Sequence, residues 1–299
     1  MLAWMMSLKL LPVAGIMLAP FGIYALAQGD KPAPAPTEIV AAAPASDWVD
    51  IPEADLLVME GAEGGRVVIQ LAPEFAPEHV ANIRALARAR WWDDGTIYRV
   101  QDNYVVQWGD ATEKKALPVA VKTTVPAEYW RSADGLDPQW IDWPDPYAKR
   151  TGFAKGWPVG SDGDDVWLTH CYGMVGVARN LAPDTGTGAE LYAVMGHAPR
   201  QLDRNIALVG RVIEGMEFLA SRPRGTGDLG FYIEPSQRIA LGSVKPMAEA
   251  ETKAAYQMLT GDSFIAYRNA RANRRDPFFN VSAGGADVCN VPVPIRKKI

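Results

Sequence analysis

The chain has 299 residues, 48% of them hydrophobic and 22% charged, with 30 Lys and Arg against 35 Asp and Glu. These values sit near the average for soluble globular proteins and exclude a wholly disordered chain, a coiled coil and a multi-span membrane protein. A formal charge of -5 leaves no basic excess for counterion-release binding, so no nucleic-acid partner is expected, and two cysteines are too few for a disulfide scaffold or a four-thiolate zinc site.

Residues 10–27 form an apolar run that follows Lys9 and ends Ala25-Leu26-Ala27 before the polar Gln28. The small residues at Ala25 and Ala27 match the pattern of a secretory cleavage site, and Pro12, Gly15, Pro20 and Gly22 weaken a permanent spanning helix. A cleaved signal over residues 1–27 is therefore expected, with an uncleaved membrane anchor as the alternative. Either way the body is exported, to the periplasm or beyond, and no membrane partner is expected after cleavage. Residues 28–47 carry Pro32, Pro34, Pro36 and Pro44 and predict an extended linker, with the ordered domain starting near Trp48. In an oxidising compartment Cys171 and Cys289 could close a long loop, worth up to about 4 to 5 kcal/mol on a chain-entropy argument. Sequence leaves the pairing open, because it does not give the distance between the two Cα atoms.

Arg66-Val67-Val68-Ile69-Gln70-Leu71 is a β-branched run stopped by Ala72-Pro73 and predicts a strand. Pro77 opens an amphipathic helix over residues 77–90, with Val80, Ile83 and Leu86 on its apolar stripe and Arg84, Arg88 and Arg90 on its polar side. After the turn at Asp93-Asp94-Gly95, residues 96–100 and 104–107 predict two short strands around Asp102-Asn103. Residues 111–170 show no clear period and carry Trp130, Trp140, Trp143, Trp157 and Trp167, which predicts a long insertion closed by its own side chains. Short strands are expected over 173–178, 190–195 and 206–212, and a barrel of short strands is the natural inference. Residues 248–275 are helix-prone and, with a Pro-rich tail, make an extension over 246–299 behind a principal domain over 48–245.

Taken in order, these segments resemble the cyclophilin-type peptidyl-prolyl isomerases over about residues 57–244. Val67 to Leu71 with Pro73, Pro77, Val80 and Asn82 is similar to the family's opening strand and first helix. Gly95-Thr96-Ile97-Tyr98-Arg99-Val100, then Tyr104-Val105-Val106-Gln107-Trp108-Gly109-Asp110, resembles the signature that carries the catalytic arginine and ends Gln-Gly-Gly-Asp. Gly173-Met174-Val175-Gly176-Val177-Ala178 and Thr187-Gly188-Ala189-Glu190-Leu191-Tyr192 resemble the strands around the proline pocket. Leu202-Asp203 with Val209-Gly210-Arg211-Val212 resembles the closing segment.

The resemblance implies a mainly β fold, a closed eight-stranded antiparallel barrel capped by two helices, the second over residues 213–221. It implies a monomeric isomerase of proline-containing polypeptides that assists folding and uses no cofactor and no metal. Arg99 becomes the electrostatic catalyst and Gln107 the group that orients the substrate carbonyl. Tyr104, Val105, Tyr192 and Leu202 form the proline slot, Ile206 stands where a pocket histidine is common, and Ala178 and Arg179 meet the peptide backbone.

The chemistry suits those residue types. Amide resonance sets a cis/trans barrier of about 18 to 20 kcal/mol, and a cation hydrogen-bonded to the prolyl nitrogen favours the twisted state over the planar one. Arginine supplies that donor as a fixed planar fork that keeps its charge at neutral pH.

Departures from the family pattern accompany the match. Tyr104 and Tyr192 replace phenylalanines, and Trp108 replaces a glycine, adding bulk beside the site. No tryptophan stands near Arg200 and Gln201, so weak binding of the inhibitor cyclosporin is expected. These features keep an alternative in view, a catalytically weak proline-peptide binding module or chaperone on the same barrel. A third possibility is a structural envelope protein that works through its Trp-rich insertion. Gly225-Thr226-Gly227-Asp228-Leu229-Gly230 matches G-x-G-x-x-G, but no helix is expected after it, so a dinucleotide site is not. His79, His170 and His197 match no metal spacing.

Overall fold

The computed structural model describes residues 33–298; the signal expected over 1–27 lies outside the described residues. In chain order the strands are β1 (Trp48–Asp50), β2 (Leu56–Glu60), β3 (Arg66–Leu71), β4 (Thr96–Val100), β5 (Val105–Gly109), β6 (Arg131–Ser132), β7 (Gln139–Ile141), β8 (Arg150–Ala154), β9 (Trp157–Ser161), β10 (Asp165–Leu168), β11 (Met174–Val177), β12 (Leu191–Val194), β13 (Leu208–Glu214), β14 (Ile239–Ala240), β15 (Ser243–Pro246), β16 (Tyr256–Leu259) and β17 (Ile295–Lys297). The α-helices are α1 (Pro36–Ala42), α2 (Pro77–Arg88), α3 (Met216–Ala220) and α4 (Gly261–Ala272). Among the described residues no helix is long and apolar enough to cross a membrane.

The largest sheet is antiparallel throughout, in the order β14-β4-β5-β12-β11-β13-β3-β2-β15. Its two edge strands are separated in the chain by only Leu241 and Gly242, a span of at most about 10 Å. The sheet must therefore curl until its edges meet. β14 and β15 are the two halves of one closing strand, bent at Gly242, which has φ +74° and where a Cβ would lie 2.2 Å from the Glu60 carbonyl oxygen. The count is nine instead of eight because that strand is broken.

Alternate strand residues point inward, as the two-residue period of a strand requires. Leu57, Met59, Val67, Ile69, Val106, Trp108, Val175, Leu191 and Val244 build the barrel core, which α2 covers with Val80, Ile83 and Leu86 and α3 with Leu219. The second helix is shorter than expected: β13 continues to Glu214, and only after Gly215, at φ +83°, does α3 begin.

Val105, Met174, Tyr192, Val194 and Leu208 face outward from the barrel, and a second core is built upon them. The insertion supplies Leu136, Ile141, Phe153, Ala154, Trp157, Val159, Val166 and Leu168 to it. Where no periodic structure is expected, residues 131–168 form a second antiparallel sheet in the order β6-β10-β9-β8-β7. Its central strand β9, Trp157-Pro158-Val159-Gly160-Ser161, is buried on both faces and so shows no polar alternation. Trp157 and Trp167 pack inside, whereas Trp130 and Trp143 remain exposed.

The ends of the described chain complete this core. Residues 36–42, expected to be extended, form α1. Pro36 occupies the first turn, where a missing N–H costs nothing, and the Glu38 carboxylate accepts from the Ala35 N–H at 2.9 Å. Ile39 and Val40 then pack on the second core. Residues 248–275 contain a strand before their helix: β16 lies between β1 and β17 in a third sheet. The Asp47 carboxylate accepts from the Ser263 N–H at 3.1 Å and so caps α4. Cys171 and Cys289 are joined in a disulfide, with Cα atoms 5.0 Å apart.

Candidate active site

β4 and β5 present the central pair. Their register shifts between Ile97 and Arg99, and Arg99 ends up directly opposite Gln107. Each nitrogen of the Arg99 guanidinium has one acceptor: Nη1 donates to Gln107 Oε1 at 3.1 Å, Nη2 to Gln101 Oε1 at 2.6 Å and Nε to the Leu229 carbonyl at 2.8 Å. The rings of Tyr104 and Phe231 lie 5.6 and 5.2 Å from its centre. Burial lowers the Arg99 pKa from its ordinary value, yet a guanidinium keeps its charge at neutral pH.

Gln107 cannot turn its amide over freely. Its Nε2 donates to the Tyr98 hydroxyl at 2.7 Å, which donates to Glu190 Oε2 at 2.5 Å, while Glu190 Oε1 accepts from the Asp110 N–H at 2.8 Å. Burial pushes Tyr98 well above the usual phenol range, so it remains a hydroxyl donor. Burial also raises the pKa of Glu190, against the opposing hydrogen bond from Tyr98. Gly109 makes room for that carboxylate: at φ +154°, its Cβ would fall 1.9 Å from Glu190 Oε2.

Every residue assigned to the site from sequence lines one cavity of about 560 Å³: Arg99, Tyr104, Val105, Gln107, Ala178, Arg179, Tyr192, Leu202 and Ile206. Trp108 does not. On the strand it alternates with Gln107, so its indole enters the barrel core, fully buried, and the expected bulk beside the site is absent.

The floor of the slot is tied to the rest of the molecule through buried polar groups. Asp203 Oδ1 accepts from both the backbone N–H and Nδ1 of His170, each at 2.9 Å. With the Nδ1 proton directed there, Nε2 is left to accept from the Tyr192 hydroxyl, 2.9 Å away. Burial raises the Tyr192 pKa well above its usual value, which keeps that donor protonated. Asp203 Oδ2 pairs with Nε of the fully buried Arg200 at 3.0 Å. Arg200 in turn pairs with Asp145 of the insertion at 2.9 Å and with Asp287, near the disulfide, at 3.6 Å.

Sequence reasoning did not select Tyr98, Glu190, His170 or Phe231. One local sign was present for Glu190, a carboxylate at the mouth of the apolar run Leu191-Tyr192-Ala193-Val194. The others act through contacts that no local pattern reveals.

The cavity thus sets a guanidinium and an amide beside the side chains of Tyr104, Val105, Tyr192, Leu202 and Ile206. The model of the cyclophilin type peptidyl-prolyl cis-trans isomerase family matches residues 56–235, and the chain belongs to that family. Among solved structures it is similar to the cyclophilin AquaCyp293 from Hirschia baltica, at 24% identity and a TM-score of 0.66 over 84% of this chain and 93% of that one. It is also similar to a cyclophilin-type isomerase of Cryptosporidium parvum solved in the presence of the dipeptide Ala-Pro. There the identity is 13% and the TM-score 0.40, over 64% of this chain and 98% of that one. No curated protein matches.

Proposed function

We propose that this isomerase accelerates prolyl steps in the folding of polypeptides outside the cytoplasm, with Arg99 as electrostatic catalyst and Gln107 as the group that orients the substrate carbonyl. The observation that carries the reading is the Arg99 fork, fixed by three acceptors in a cavity of about 560 Å³ that also holds the apolar side chains Val105, Leu202 and Ile206. Two of its terminal N–H groups stay free for a substrate, since Nη1 and Nη2 each have one protein acceptor and two hydrogens. Tyr104, Val105, Tyr192, Leu202 and Ile206 supply the slot, and Ala178 and Arg179 the peptide-binding wall. The burial of Trp108 removes one argument for a blocked, binding-only site.

Two features support the location: the apolar N-terminal run ending at Ala27, and a disulfide, which persists in oxidising compartments. Expression of the full chain in a Gram-negative host, with osmotic-shock fractionation and N-terminal sequencing, tests it. A shock-released protein beginning at Gln28 is expected; full-length protein in the cytoplasm overturns the location. Acceleration of a proline-limited refolding reaction by the released protein tests the folding role, and an unchanged slow phase overturns it.

A further inference from the structure

The segment that matched G-x-G-x-x-G lies against Arg99. It continues along the edge of β4 that β14 opens: the Tyr232 N–H donates to the Tyr98 carbonyl and the Gly225 N–H to the Val100 carbonyl, both at 2.9 Å. Between these anchors the backbone folds back through Asp228–Gly230. Gly230, at φ +80°, allows the close approach, since a Cβ there would meet the Gln101 backbone nitrogen at 2.9 Å. Leu229 is left-handed at φ +55°, a conformation costing a non-glycine residue about 1 to 2 kcal/mol. Its carbonyl accepts from Arg99 Nε, and Phe231 stacks on Tyr98 with centroids 6.0 Å apart.

This firmly held turn presents apolar groups to solvent. Leu229 is 65% exposed, Phe231 39% and Ile233 62%. Large apolar side chains fixed in water beside a reactive group, on strained backbone, mark a surface that something covers. Leu229 and Phe231 line the same cavity as the proline slot, and the Phe231 ring centre lies 5.2 Å from the Arg99 guanidinium.

We propose that Leu229, Phe231 and Ile233 form a specificity subsite that receives an apolar side chain next to the substrate proline. The proposal rests on the isomerase reading and adds the substrate class. Neighbouring Cα atoms are about 3.8 Å apart, so with the prolyl nitrogen at Arg99 an adjacent side chain reaches a ring centred 5.2 Å from the guanidinium. The occupant follows from continuity: a peptide whose proline fills the slot must run an adjacent residue over this shelf.

The test is kcat/KM on short peptides in which the residues on either side of proline are varied among Ala, Leu, Phe and Glu. The wild type, Leu229→Asn, Leu229→Met and the double variant Leu229→Asn/Ile233→Ser are compared. Asparagine tolerates the left-handed region better than leucine, so Leu229→Asn removes the apolar group without straining the turn. The wild type is expected to favour Leu or Phe over Glu at one flank by about fivefold, a modest value for a half-open apolar site. The double variant brings that ratio below about twofold, and Leu229→Met retains it. Turnover with no preference at either flank, or a preference the double variant keeps, overturns the subsite. A chain that turns over none of the peptides overturns the isomerase reading and the subsite with it.

Discussion

Replacing Arg99 tests the catalytic assignment most directly. Arg99→Ala removes three donors at once, to Gln107, Gln101 and the Leu229 carbonyl, together with a cation close to two aromatic rings. The uncatalysed barrier is about 18 to 20 kcal/mol, and loss of one preorganised donor to developing charge costs about 2.7 to 4 kcal/mol, or about 100- to 1,000-fold in rate. Arg99→Lys keeps the charge but cannot hold several acceptors in one plane. An intermediate loss of about 10- to 100-fold is expected for it. The ground state loses less, because the guanidinium is half-buried and water replaces part of each contact; about 1 kcal/mol of stability is expected. A protease-coupled assay on an Ala-Pro peptide near 10 °C, where the spontaneous reaction takes minutes, gives the rates, and thermal melting gives the stability. If folded Arg99→Ala isomerises within about twofold of wild type, the guanidinium is not the catalyst and the mechanism is wrong.

Tyr98→Phe leaves the Gln107 amide without its acceptor and Glu190 without its hydroxyl donor. A fall in kcat of about tenfold with KM within about twofold is expected from NMR exchange kinetics, and a matching rise in KM instead argues against an orienting role. Cys289→Ser, or reduction of the wild type, should lower stability by up to about 4 to 5 kcal/mol; an unshifted melting curve contradicts a bridge that restrains the chain. For Asp110, partial burial opposes ionisation, but N–H groups of Lys115, Thr112 and Lys114 and the Thr112 hydroxyl prevail and lower its pKa from 3.8 to about 2. A lowered folded-state pKa stabilises above pH 3.8 and is lost as pH falls through 2. Asp110→Asn is thus expected to be about 1 kcal/mol less stable at pH 7, after allowance for solvent screening, with the gap closing in acid; urea unfolding that gives the same gap at pH 7 and at pH 2 counts against it. Cyclosporin is expected to bind weakly, because Arg200 is turned inward into ion pairs and no indole stands there; nanomolar inhibition contradicts this.

The elements legible in the sequence were those whose signals are local. Pro77 followed by Val80, Ile83 and Leu86 announces α2, and the β-branched runs announce β3, β4 and β5 within a residue or two. Alternation also fixes which way Gln107 and Trp108 face, and it turns the Trp108 indole away from the site. What stayed hidden depends on partners far along the chain. β16 lies in a helix-prone segment and is a strand because β1, some 200 positions earlier, pairs with it. The insertion reads as aperiodic because its strands have two to five residues and the middle one is covered on both sides. Glu190 and the Leu229 turn reach Tyr98 and Arg99 across 92 and 130 positions, beyond any periodicity.

The bend at Gly242 carries a consequence for how the protein is made. β2, the first strand of the barrel, has β15 as its outer neighbour, and β1 waits for β16. A nascent chain therefore leaves that edge of β2 unpaired until residues 243–246 have been made. Closure of the barrel is a late event in synthesis, because it joins strands more than 180 positions apart. The barrel is completed in one late step, and until then the open edge of β2 calls for protection.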